Sequence, residues 1–167
     1  MSRVVLSRVV LTSSAGDIPI DLDSASAPNA AAALLRHATR GTRGTLHRAE
    51  PVPPAGSAGP PYALVQFTLD DAPELKAHAH EGCAAVARGA VCLIGGASDL
   101  FISLAANGEH AGWESSMTVV GHVADDALRG VVEGEILAMP KHDFTHPQYG
   151  TVMSMLTEPV PCQLRAP

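Results

Sequence analysis

Cysteine is scarce in this chain: Cys83, Cys92 and Cys162 are the only three in 167 residues, and no two form a Cys-x-x-Cys pair. Such usage argues against a disulfide framework and predicts buried thiols in a reducing, intracellular compartment. Basic residues are few, with 11 Lys and Arg against 17 Asp and Glu, and they are scattered apart from a weak cluster at Arg36, Arg40 and Arg43. Without a basic stripe, no nucleic-acid partner is expected. No apolar run approaches the roughly 18 residues that cross a membrane, so no membrane insertion is expected. The N-terminus lacks the basic start, apolar core and small-residue cleavage site of a secretory leader. A cytoplasmic protein is therefore expected, with organelle import left open. Aromatics are also sparse, while Ala, Val and Leu abound, as in an ordinary soluble globule. The length suits one domain, residues 1–167, built around one core.

What is present alternates. Ser2-Arg3-Val4-Val5-Leu6 is repeated as Ser7-Arg8-Val9-Val10-Leu11 and reads as an edge or entry strand. Residues 9–11 and 16–22 predict a hairpin, because Ile18, Ile20 and Leu22 alternate with Asp17, Pro19 and Asp21. Pro19 should place its missing N–H outward. Pro28 or Asn29 opens a helix through the alanine-rich stretch to about Arg40, stopped by Gly41 and Gly44. Residues 45–49 predict a short strand. Residues 51–61, with Pro51, Pro53, Pro54, Pro60 and Pro61, can only be loop. Further strands are expected at residues 62–69, 83–87, 90–94, 100–104, 117–123 and 151–156, with a terminal extension at 162–164. Residues 70–80 look irregular, and residues 125–132 predict a short helix with Asp125 near its cap. Many short strands, two helices and frequent glycine turns point to a mainly β protein, a barrel with helical caps.

Most chemistry-bearing patterns are weak. The cluster His78-Ala79-His80-Glu81 has a His-x-His core, and His142, Asp143 and His146 form a looser one. Zinc needs three or four converging ligands, and exposed loop histidines are the expectation, so no metal and no cofactor is assigned. Cys83 and Cys92 lie in apolar strand patterns, where a thiol is inert rather than nucleophilic. Gly95-Gly96 is a turn without the Lys and Ser/Thr of a phosphate loop.

One ordered series stands out. Gly16-Asp17-Ile18-Pro19-Ile20-Asp21-Leu22 is followed by Ala27-Pro28, then Leu46-His47-Arg48, then Ala97-Ser98-Asp99-Leu100-Phe101-Ile102, then Trp113 to Val123. A further piece is Gly82-Cys83-Ala84-Ala85-Val86-Ala87-Arg88. This order and spacing resemble the cyclophilins, peptidyl-prolyl cis-trans isomerases whose arginine follows Phe-His. The resemblance implies a closed eight-stranded antiparallel β-barrel capped by two helices. It also implies Arg48 as the catalytic group, Phe101 as the floor of a proline pocket and Trp113 as its rim. Asp99 then takes a glutamine position, Arg88 an asparagine position and Met117 about a histidine position, completing the implied substrate-binding set.

Such a site works through electrostatics. Rotation about a peptide bond crosses a barrier of about 18–20 kcal/mol set by amide resonance. A fixed cation beside the prolyl nitrogen stabilises its lone pair once the amide twists, provided water is excluded. Here the family's Gly-Phe-Met-x-Gln-Gly-Gly-Asp stretch after the arginine is replaced by Pro53-Pro54-Ala55-Gly56-Ser57, without Phe, Met or Gln. Asp99 is also placed to pair with Arg48. The expected protein is thus a divergent cyclophilin-like binding or assembly subunit of a larger complex, non-catalytic or weakly active. Its partner would be a protein or a proline-containing peptide. The alternative is an active isomerase with an altered pocket. Residues 51–61 and the segment after Thr157 are the expected contact surfaces.

Overall fold

The computed structural model describes residues 7–54, 62–82, 85–105, 113 and 116–167. The expected hairpin is β1 (Arg8–Ser13) and β2 (Gly16–Leu22), with Val9, Leu11, Ile18, Ile20 and Leu22 all turned into the core. Pro19 falls where β2 has a strand partner on one side only, since β2 meets the seventh strand at Asp21 and Leu22 alone. The first copy of the N-terminal repeat lies outside the described residues. The second enters β1, which is no edge strand: it has partners on both sides.

Helix α1 (Pro28–Arg40) buries Ala30, Ala31, Ala33, Leu34, His37 and Ala38. Small side chains on that face let the helix lie close against the barrel, and Gly41, at φ 65°, closes it by donating to the Ala38 carbonyl. The buried His37 bonds Thr42 Oγ1 at 2.8 Å and pairs with Glu74, which ties α1 to the neighbouring turn.

Next come β3 (Arg43–Glu50), β4 (Leu64–Leu69), β5 (Ala90–Ile94), β6 (Asp99–Ser103) and β7 (Met117–His122). Then follow β8 (Lys141–Thr145) and β9 (Val152–Arg165). The strand order is β1-β2-β7-β5-β6-β4-β3-β9, and β9 pairs back with β1, so eight strands close an antiparallel barrel while β8 hangs on β9 outside the ring. Closure requires close approach at Gly121, where a Cβ would sit 2.6 Å from the Asp21 carbonyl oxygen. The interior is filled by one cluster that includes Leu11, Ile20, Leu46, Val65, Phe67, Leu100, Ile102 and Val120.

Several expectations need correction. Residues 85–87 form no strand, and 83 and 84 lie outside the described residues; the strand beside β6 is β5. Within the irregular 70–80 stretch sits a one-turn helix, α2 (Pro73–Lys76), started by its proline. The helix at Asp125–Ala127 runs on as π-helical turns over Leu128–Ile136, burying Leu128, Val132 and Ile136. The segment after Thr157 is no loose tail: it is the second half of β9, hydrogen-bonded to β3 and β1 despite Pro159 and Pro161. β8 was not foreseen because its residues are mostly exposed and carry no inward apolar alternation.

Candidate functional site

Arg48 lies on β3 at an irregularity. The pairing of β3 with β4 jumps from Leu46–Phe67 to Arg48–Gln66, leaving His47 without an opposite residue. A bulge of this kind re-aims side chains. Leu46 and Ala49 remain in the core, while His47 and Arg48, although consecutive, both contact polar side chains on the outer face. Across that face the register sets Arg48 beside Gln66 on β4, Gln66 beside Phe101 on β6, and Phe101 beside Cys92 on β5.

The guanidinium is heavily engaged. Arg48 Nε donates to Glu50, Nη2 pairs with the same carboxylate, and Nη1 donates to Gln66 Oε1 at 3.1 Å. Glu50 is only 1% exposed, and its other oxygen accepts from the Tyr62 backbone N–H at 3.2 Å. The Tyr62 ring lies 5.9 Å from the guanidinium carbon, at the outer limit of a cation–π contact. The expected Arg48–Asp99 pair is therefore corrected: Glu50 is the partner. Asp99 accepts instead from Thr68 Oγ1 and faces His47 Nε2 at 3.6 Å, while His47 also bonds Thr68 Oγ1 at 2.9 Å. The Asp99 carboxyl sits below the usual carboxylate range, chiefly through its hydrogen bond with His47, with Thr68 and Gln66 adding and partial burial opposing.

Beside this polar chain lies a second apolar cluster on the outside of the barrel. Leu64, Val86, Ala90, Cys92, Phe101 and Val119 are buried in it, with Tyr62, Ile94, Trp113 and Met117 packed against them. Trp113 meets Phe101 edge-on at 5.6 Å between ring centres and Tyr62 at 6.0 Å. Both geometries suit aromatic pairing.

Of the six residues singled out from the sequence, Arg48, Phe101, Trp113, Asp99 and Met117 thus share one face and its borders. Arg88 does not join them. Its guanidinium pairs with Glu133 and with Asp125, at 3.3 Å in the second case, and reaches the Leu104 carbonyl at 3.5 Å. The strand beside β6 starts after Arg88, so the asparagine position assigned to it does not fall on the sheet. Two partners of Arg48 were missed: Glu50, and Gln66, which comes 18 positions later. Alternation along β4 held a usable signal, because Val65, Phe67 and Leu69 are apolar and only Gln66 and Thr68 between them are polar. Pairing that strand with residues 45–49 sets Gln66 opposite His47, and only the bulge between Leu46 and Arg48 moves it to Arg48.

The histidine clusters do other work. Glu81 caps α1, accepting from Asn29 N at 3.1 Å and Ala30 N at 2.7 Å, and His146 accepts from the backbone of its own turn at Gln148 and Tyr149. Among the described residues no three His, Cys, Asp or Glu side chains converge to hold a metal ion. Cys92 and Cys162 are buried, and burial pushes the Cys162 thiol up to about 11. Cys83 lies outside the described residues. Among the described residues no helix is long and apolar enough to cross a membrane.

No protein-family model and no curated protein sequence matches the chain. Solved structures do. A cyclophilin-type peptidyl-prolyl cis-trans isomerase of Cryptosporidium parvum superposes with a TM-score of 0.53 at 12% identity, over 93% of this chain and 97% of that one. The same kind of Cryptosporidium parvum protein, crystallised with the dipeptide Ala-Pro, gives a TM-score of 0.50 at 12% identity, over 92% and 97% of the two chains. Identity this low speaks to architecture, and the architecture is plain: the chain has the cyclophilin fold in a divergent form.

Proposed function

We propose that this domain is a protein-binding or assembly subunit that holds proline-containing segments of a partner and turns them over little or not at all. The observation that carries the reading is the pairing of an apolar aromatic cluster with an arginine already committed inside the protein. Trp113 and Tyr62, partly exposed above the buried Phe101, offer the flat apolar surfaces that a pyrrolidine ring packs against. Arg48 stands next to them with Nε, Nη1 and Nη2 all bonded to Glu50 and Gln66. A cation neutralised in place adds little field where the twisted prolyl nitrogen would need it. The Cryptosporidium parvum structure with Ala-Pro supports a proline-containing ligand for this fold.

A second reading, an active isomerase with an altered pocket, draws support from Gln66. It supplies beside Arg48 the kind of peptide-holding side chain that the stretch directly after the arginine lacks. One experiment separates the readings. A short Ala-Pro peptide is titrated into the protein by NMR, and cis–trans exchange of the same peptide is measured. Shifts at Phe101 and Trp113 with exchange near the uncatalysed rate support the binding reading. Exchange accelerated by orders of magnitude refutes it in favour of the isomerase. A peptide that moves no resonance removes both.

A further inference from the structure

We infer that Glu50 is the residue that sets the catalytic level of this site: a built-in carboxylate holds the Arg48 guanidinium, while Gln66, Phe101 and Trp113 stay grouped around it. The inference rests on the proline-binding reading and adds that one side chain limits turnover. Three observations converge. Glu50 is buried to 1% exposure, so solvent does not weaken its pull on the cation. Its carboxylate is pinned from both sides, by Arg48 and by the Tyr62 N–H at 3.2 Å, so it cannot swing aside when a peptide arrives. Around this pair, Gln66 lies 3.1 Å from the guanidinium, Phe101 is set opposite Gln66 across the strands, and Trp113 packs over Phe101.

The chemistry follows from charge. Isomerisation makes and breaks no bond; the prolyl nitrogen only gains lone-pair density as the amide twists. A lone guanidinium stabilises that density as a monopole, whereas a guanidinium bonded to a carboxylate presents a dipole whose field falls off faster. Glu50 lies within the protein and acts through Arg48, so it is a positioning residue, one that holds the arginine in a quiet state.

The test replaces Glu50 by Gln, which keeps the shape and removes the charge, and by Met, which also removes the acceptor. Steady-state isomerisation of a short Ala-Pro peptide is measured for wild type, E50Q, E50M and the double variant R48M/E50Q. The expected result is a rise in kcat of about tenfold or more in the neutral single variants with KM within about twofold, lost in the double variant. Peptide binding that persists while kcat stays at the wild-type level overturns the role of Glu50 and leaves the binding reading standing. A gain that survives in the double variant overturns it too, because Arg48 is then not the group released. Failure of both wild type and E50Q to bind the peptide overturns the proline-binding reading itself. Should neither neutral variant fold, the Arg48 Nε–H resonance of the wild type decides. Protection from solvent exchange with and without peptide supports the inference, and release on peptide binding refutes it.

Discussion

Replacing Arg48 by Met should destabilise this domain far more than a surface arginine would. Arg48 is 13% exposed and Glu50 is 1% exposed. Removing the cation leaves a buried carboxylate that still accepts from the Tyr62 N–H. Orphaning one member of a buried ion pair costs about 3–5 kcal/mol. For a domain of this size about 2–4 °C of Tm accompanies each kcal/mol, so R48M should melt about 6–20 °C lower. The reverse change, Glu50→Met, should cost less, about 1–3 kcal/mol, because Arg48 keeps Gln66 and reaches water through its exposed edge. In the double variant R48M/E50M no charge is buried. Only the Tyr62 N–H and Gln66 lose a partner, for about 1–2 kcal/mol.

Urea unfolding of the four proteins closes a double-mutant cycle. The double variant should be more stable than R48M alone, because it buries no unpaired carboxylate at this site. An R48M cost below about 1 kcal/mol, or additive single costs, would refute the picture of a desolvated, coupled pair. Such a result would also remove the physical basis for a quieted arginine.

Other predictions follow from separate parts of the fold. Asp99 has a depressed pKa in the folded protein, chiefly through His47. Its contribution is therefore full above the unfolded carboxylate value of about 3.9 and is lost as pH falls through the lower folded value. The stability gap between wild type and D99N, measured by urea at several pH values, should shrink toward zero below about pH 4; a constant gap counts against the assignment. Glu81→Ala should cost about 1–2 kcal/mol by leaving the Asn29 and Ala30 N–H groups of α1 without their acceptor, with E81Q intermediate. Equal stability of all three proteins by thermal melting would contradict the cap. Cys162, with its thiol pushed up to about 11, should resist alkylation at pH 8 until the chain unfolds. Peptide-resolved mass spectrometry reads this directly, and rapid labelling of the folded protein would overturn it.

Local pattern carried much of this architecture. Period-2 alternation located β2 and, with it, the hairpin partner β1; apolar composition between turn residues located β4, β5, β6 and β7; and alanine-rich propensity located α1. The failures share a cause. β8 is mostly exposed and stands by pairing with β9 across the turn at 146–151, so no inward apolar alternation marks it. The second half of β9 reads as a proline-broken tail, yet partners on both sides hold it as a strand. Residues 85–87 have strand-like composition but pair with no strand among the described residues, and β5 takes the place beside β6.

The candidate site divides in the same way. Local periodicity and turn chemistry determined that the chain is a mainly β protein with helical caps, and the resemblance to the cyclophilins carried by motif order placed Arg48, Asp99, Phe101 and Trp113 in one series and implied a closed barrel. Tertiary structure alone decided what Arg48 does. A bulge at His47 turned it to the outer face, an antiparallel partner brought Gln66 to it, and the same turn of chain buried Glu50 against it. Asp99, the nearer guess from sequence, was drawn to His47 and Thr68. Charge pairing depends on distances of a few ångströms across strands and on which groups lose water, and neither quantity is written in residue order.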